Sequence, residues 1–111
     1  MEELELDMLE TLESLLSAGT DSATLRFGIA SSYLKKDNFK AAFTHLQIAV
    51  KLDPNYSAAW KLLGNTQIKL GLLDDARQTY NNGIKVAKNT GDIQSAKEMI
   101  VFLKRIENNT S

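Results

Sequence analysis

Apolar residues recur at intervals of three and four positions along most of the chain, with charged and polar residues between them. Residues 2–17 show the pattern clearly, since leucines and a methionine are interspersed there with carboxylates. No segment has the strict alternation of an amphipathic strand. The pattern therefore predicts an all-α protein with about six helices. We place these helices at residues 2–17, 25–36, 39–52, 57–70, 73–88 and 92–107.

Short breaks separate the predicted helices. Gly19 follows the first helix and suits a left-handed helix end, after which Asp21 or Ser22 can cap the second helix. Pro54 prevents the third helix from continuing, and Gly71 interrupts the apolar pattern between the fourth and the fifth. Because each break has only a few residues, we expect neighbouring helices to run antiparallel.

In the middle of the chain, residues that are 34 positions apart have side chains of similar size. Small residues align with small ones, as Ala30 does with Gly64, and bulky residues with bulky ones, as Leu46 does with Tyr80. Helices that pack closely need this matching of size, because small residues allow approach and large ones interlock. The period predicts two copies of a helix-turn-helix unit.

The two units resemble the tetratricopeptide repeat (TPR) family at the positions where its helices pack. The second unit matches at Trp60, Leu63, Gly64, Ala76 and Tyr80. The first unit matches at Ile29, Ala30, Tyr33, Ala42, Leu46, Ala49 and Pro54. The chain departs from the family pattern at Arg26, where tryptophan is usual, and at Gln67, where tyrosine is usual. The resemblance spans residues 23–90 and implies a right-handed superhelical stack of antiparallel repeats.

The order of segments also resembles short stand-alone bacterial proteins of this family. Because 111 residues is the length of one domain, we treat residues 1–111 as a single domain. It comprises an acidic N-terminal helix at 1–19, a first repeat at 23–56, a second repeat at 57–90, a capping helix at 91–107 and a tail at 108–111.

In this family the first helix of each repeat lines a concave groove that holds an extended or helical segment of a partner protein. The resemblance implies a groove lined by Phe27, Ser31, Leu34, Lys35, Lys61, Asn65, Ile68 and Lys69. Its mixture of apolar and cationic side chains suits an acidic, apolar peptide or a C-terminal carboxylate. The residues with which some members hold the carboxylate tail of heat-shock chaperones are absent here, so we do not expect that role.

Charge is distributed unevenly along the chain. Residues 1–16 carry a net charge of −6, whereas the rest of the chain carries +5. Three roles for the first helix follow: a permanent cap with its leucines on Phe27 and its neighbours, a lid over the lysine-rich groove, or a dimer interface. We favour the cap, and we expect a monomer or a weak homodimer.

Several classes of function are not expected. The chain has no cysteine and one histidine, His45, so we expect no metal site and no cofactor. Neither His45 nor the adjacent Asp74 and Asp75 has the partners that acid–base catalysis needs, so we expect no enzymatic activity. Two units and a pI near 5.8 argue against a nucleic-acid partner. An acidic N-terminus without signal-peptide features, and no apolar stretch of membrane-spanning length, favour the cytoplasm.

The sequence therefore favours a protein-interaction module, an adaptor or assembly factor that takes a segment of one partner in its groove. The alternative is a structural protein that self-associates through the exposed ends of its repeats or through its N-terminal helix.

Overall fold

The computed structural model describes the backbone of residues 2–110 and the side chains of residues 8–109. Within that range the protein is all-α and has six helices, which confirms the predicted fold class. The helices are α1 (Glu2–Ser17), α2 (Ala23–Lys35), α3 (Phe39–Leu52), α4 (Ser57–Lys69), α5 (Leu73–Thr90) and α6 (Ile93–Thr110). None of the helices in this range is long and apolar enough to cross a membrane.

Local hydrogen bonds explain where the helices begin and end. The Ser22 side chain accepts from the Leu25 N–H at 3.1 Å and caps α2, whereas Asp21, the other candidate, pairs with Arg26. Asp92 caps α6 in the same way, accepting from the Ser95 N–H at 3.2 Å. The helix then continues to Thr110, so residues 108–110, which the sequence predicted to belong to a tail, are helical.

Left-handed glycines follow three of the helices. Gly19 has a φ of 98°, which confirms the predicted stop after α1, and the next N–H, from Thr20, donates back to the Leu15 carbonyl at 3.1 Å. Gly71 and Gly91 have positive φ after α4 and α5. Glycine adopts this conformation without a steric penalty, so these positions turn the chain sharply between helices.

Consecutive helices pack side by side, and α4 also contacts α6. The body measures 44 × 27 × 22 Å. Three apolar clusters follow one another along it. The cluster between α1 and α2 contains Leu9, Leu25 and Ile29, with Leu12, Leu16 and Tyr33 at its edge. The next contains Ala30, Ala42, Leu46 and Leu63 from α2, α3 and α4. The last contains Ala76, Tyr80, Ala87, Ala96, Met99 and Ile106 from α5 and α6.

The position of α1 corrects one detail of the sequence analysis. We expected the leucines of α1 to pack on Phe27, but they pack against Leu25, Ile29 and Tyr33. The Phe27 ring instead stacks on Tyr56, with ring centroids 4.9 Å apart. Phe27 therefore belongs to the contact between α2 and the segment that precedes α4.

Candidate partner-binding groove

One side of α2 carries the first half of the predicted groove. Phe27, Ser31 and Leu34 follow one another at intervals of four and three, which places them on the same side of the helix. Lys35 is the next residue after Leu34 and lies at the edge of that side. Phe27 and Leu34 are half-buried against the cluster that contains Leu46. Ser31 is half-buried beside them, and Lys35 is exposed in the last turn of the helix.

One side of α4 carries the second half, and α6 lies along it. The Lys61 ammonium is 2.7 Å from a carboxylate oxygen of Glu98 on α6. This hydrogen bond is the main reason why the pKa of Glu98 is lowered. The Asn65 side-chain oxygen accepts from the Tyr80 hydroxyl at 2.5 Å. Two of the predicted groove residues, Lys61 and Asn65, therefore already have partners within the chain.

The N-terminal ends of α4 and α6 are joined by hydrogen bonds. The Ser57 hydroxyl donates to Asp92 at 2.5 Å, one turn before the Lys61–Glu98 pair. The pKa of Asp92 is lowered, first by the bond from Ser57 and then by the bonds from Ser95. These contacts hold α4 and α6 together at one end of their shared length.

Farther along, α4 and α6 are separated by a cavity of about 450 Å³, which we call the α4/α6 cavity. A cavity of this volume falls within the ~300–1,000 Å³ that is usual for ligand sites. Its lining residues are Asn65, Ile68, Lys69, Leu73, Tyr80, Phe102, Arg105, Ile106 and Asn109. Tyr80 is fully buried and its ring lies 5.8 Å from that of Phe102. Because burial raises the pKa of Tyr80, its hydroxyl keeps its proton and continues to donate to Asn65.

Two cationic side chains border the α4/α6 cavity. Lys69 is exposed at the end of α4, and Arg105 is exposed on α6. The Arg105 guanidinium lies 5.9 Å from the centroid of the Phe102 ring, at the limit of a cation–π contact. Neither cation pairs with a carboxylate among the residues whose side chains are described. Both are thus available to an acidic partner.

The cavity combines predicted residues with residues that the sequence analysis missed. Asn65, Ile68 and Lys69 were predicted to line the groove, and they do line the cavity. The missed residues are Leu73, Phe102, Arg105, Ile106 and Asn109. A signal for the α6 residues exists, because positions 98, 102, 105 and 109 form a stripe at helical spacing. That stripe faces α4.

His45 lies in a separate polar contact between α2 and α3. Its Nδ1 is 3.0 Å from the Arg26 guanidinium, which also binds Asp21 at 2.9 Å, and its ring stacks on that of Tyr33. Burial, followed by the charge of Arg26, lowers the pKa of His45. Arg26, at a position where the family usually has tryptophan, therefore ties together the start of α2 and the middle of α3.

Comparison with known proteins assigns the family. Residues 33–100 match the model of the tetratricopeptide repeat. The chain is 45% identical over 100 residues to the TPR repeat-containing protein PA0015 of Pseudomonas aeruginosa, covering 90% of this chain and 95% of that protein. It is 41% identical to protein BPP2914 from Bordetella parapertussis, whose solution structure superposes with a TM-score of 0.79. That match covers 92% of this chain and 89% of the Bordetella chain. The chain belongs to the tetratricopeptide repeat family, as the packing residues indicated.

A more distant likeness concerns the fold alone. The TPR2B domain of yeast Sti1, solved as a complex with pHsp70, superposes with a TM-score of 0.86 at 16% identity, covering 97% of this chain and 86% of that chain. All six helices of the described range therefore have the arrangement of a TPR superhelix. Repeats of this family commonly mediate contacts between proteins and are typically non-catalytic.

Proposed function

We propose that this protein is an adaptor or assembly factor that binds a peptide or helical segment of a partner protein along the face formed by α2, α4 and α6. The α4/α6 cavity carries the proposal, because residues already implied by the family pattern line it. It is bordered by Lys69 and Arg105, neither of which has an ion-pair partner among the residues whose side chains are described. Tetratricopeptide repeats commonly mediate contacts between proteins, which supports the same conclusion. The relatives from Pseudomonas aeruginosa and Bordetella parapertussis favour a bacterial setting.

Both halves of the face contribute to the proposed contact. Phe27, Ser31, Leu34 and Lys35 provide an apolar strip with a cation at its end on α2. Asn65, Ile68 and Lys69 continue it on α4. Lys61 has a positioning role, because its bond to Glu98 holds α6 in place as the third wall of the groove.

A charge-reversal experiment tests this function. Random dodecapeptides displayed on phage are selected on the immobilised chain, and the affinities of the enriched peptides are then measured by fluorescence anisotropy. Lys35→Glu with Lys69→Glu reverses the two exposed lysines of the proposed face. Lys51→Glu with Lys85→Glu reverses two exposed lysines on α3 and α5, which are also 34 residues apart, and serves as the matched control.

We expect the enriched peptides to lose affinity for the Lys35/Lys69 variant and to keep it for the Lys51/Lys85 variant. The two variants have the same net charge, so a difference between them reports the face and not the overall field. Equal loss in both variants, or no enrichment at all, would refute binding at this face.

A second candidate function, self-association, has one specific observation in its favour. Met8 and Leu15 are large apolar side chains of α1 that are 55% and 45% exposed. They are seven residues apart, so they lie on the same side of the helix. If this strip joins two copies, light scattering across a concentration series should show a dimer that Leu15→Glu abolishes. A molar mass that stays that of the monomer at all concentrations would eliminate this function.

A further inference from the structure

We propose that the α4/α6 cavity is the specificity pocket of this face, and that it takes one bulky apolar side chain of the partner segment with an aspartate or glutamate beside it. This inference rests on the proposed function and states which feature of the partner segment is recognised. The cavity would select the bulky side chain, and the cations at its border would select the acidic neighbour.

The walls of the cavity explain the preference for a bulky apolar side chain. Ile68, Leu73, Phe102 and Ile106 face it from three different helices, and the buried ring of Tyr80 lies between them. The Tyr80 hydroxyl is bonded to the Asn65 side-chain oxygen, so the one hydrogen-bond donor among the aromatic walls is already used within the chain. An apolar side chain that leaves water for such walls gains free energy in proportion to its buried area.

The border of the cavity explains the preference for an acidic neighbour. Lys69 from α4 and Arg105 from α6 approach it from opposite walls. The acidic side chain that α6 directs toward α4, Glu98, is already bonded to Lys61 near the other end of the two helices. A carboxylate on the partner segment therefore meets two cations, neither of which has an ion-pair partner among the residues with described side chains.

A second copy of this chain suits the cavity less well, although its α1 is both acidic and rich in leucine. Leu9, Leu12 and Leu16 of α1 are packed against α2 within their own molecule. A neighbouring molecule could use them only after α1 had detached, which would expose the fully buried Ile29. A segment of another protein can offer the same chemistry without that cost.

The test uses the sequences of selected peptides as its readout. The dodecapeptide library is selected in parallel on the wild-type chain, on Arg105→Gln and on Lys104→Gln. Lys104 is the exposed neighbour of Arg105 on α6 and does not line the cavity, so it is the control for loss of one charge. We expect the wild-type and Lys104→Gln pools to be enriched in Phe, Trp or Leu next to Asp or Glu. The Arg105→Gln pool should contain the acidic neighbour less often, since only Lys69 then remains at the border.

Affinities of individual selected peptides complete the test. Arg105→Gln should weaken binding about two- to fivefold, which is the range of an exposed charge pair, and the effect should shrink in high salt. Replacing the bulky residue of the peptide by alanine should weaken binding about tenfold or more. Leu73→Ala on the protein should reduce that difference, whereas Leu52→Ala, which changes an exposed leucine of α3, should leave it unchanged.

Failure of this inference is distinguishable from failure of the proposed function. If selected peptides depend on Lys35 and Lys69 but the wild-type and Arg105→Gln pools have the same sequences, the groove binds peptides and the pocket assignment is wrong. If dodecanoate binds in an Arg105-dependent manner and no peptide is enriched, the cavity takes a free amphipathic acid and the inference is overturned. Self-association abolished by Arg105→Gln would overturn it in favour of a second copy.

Discussion

Gly64 lies in a close contact between α4 and α5, and adding one methyl group there is a sensitive test of the packing. A Cβ at this position would lie 2.7 Å from Cδ1 and 2.8 Å from Cζ of Tyr80, and nearer still to Cε1. Ordinary contacts of a Cβ begin at 3.4 Å. The Tyr80 ring cannot move away freely, because it is fully buried and its hydroxyl is bonded to Asn65.

The expected cost follows from three contributions. Overpacking a filled core costs about 1–3 kcal/mol, and disturbing the Tyr80–Asn65 hydrogen bond costs about 1 kcal/mol more. Alanine in place of a helical glycine gives back about 1 kcal/mol. We therefore expect Gly64→Ala to lower the free energy of unfolding by about 1–3 kcal/mol and Tm by roughly 5–20 °C.

The first repeat provides the rescue. The residues aligned with Gly64 and Tyr80 are Ala30 and Leu46, which lie in one cluster. Combining Gly64→Ala with Tyr80→Leu recreates this pair in the second repeat. Since the leucine leaves room for the methyl group, the double variant should be more stable than the sum of the two single effects predicts.

Urea denaturation followed by circular dichroism measures these changes. Gly28→Ala is the control, because a Cβ there would meet only Leu12 Cδ1 at an ordinary 3.5 Å. Gly28→Ala should leave stability unchanged or raise it by up to about 1 kcal/mol. If Gly64→Ala is as stable as the wild type, or if Tyr80→Leu does not offset it, the contact between α4 and α5 is not as tight as the structure shows.

Three further predictions concern other parts of the fold. The side-chain oxygen of Gln67 is buried without a hydrogen-bond partner among the described residues. Gln67→Leu should therefore raise the free energy of unfolding by about 1–2 kcal/mol. A lower Tm for this variant would contradict the prediction. Leu9 on α1 is 6% exposed, so Leu9→Ala should lower the free energy of unfolding by about 2–4 kcal/mol. Met8→Ala should change it by less than about 0.5 kcal/mol. Equal effects of the two substitutions would mean that α1 does not cap the stack. The folded state lowers the pKa of His45, so the unfolded chain binds the proton first as the pH falls. The free energy of unfolding that His45 contributes above about pH 6.5 is therefore lost as the pH falls through the folded pKa. His45→Gln should reduce this loss, and an unchanged pH profile would refute it.

Much of the fold follows from local features of the sequence. The helical spacing of apolar residues predicted all six helices, and glycine or proline predicted the breaks after α1, α3 and α4. The matching of small with small and bulky with bulky residues across 34 positions predicted the pairing of α2 with α3 and of α4 with α5. These features act over one or a few helical turns, or repeat at a fixed interval, so they can be read without knowing the tertiary arrangement.

The site was only partly predictable. The face of α2 and most of the face of α4 could be derived from the family pattern. The contribution of α6 could not, because Lys97 and Glu98 stand where a third repeat would have leucine and glycine. The helix nevertheless packs along α4, and the hydrogen bonds of Ser57 and Lys61 to its first turns set its direction.

The sequence by itself thus determined the helices, their order and the repeat, since each depends on spacing within the chain. Only the tertiary structure decided which lysines of α4 pair with a carboxylate among the described residues. Lys61 is bonded to Glu98, 37 residues away, whereas Lys69 borders a cavity with Arg105. The two lysines have the same chemistry and lie eight residues apart on one helix. They differ because α6 meets α4 closely at one end and leaves a space at the other.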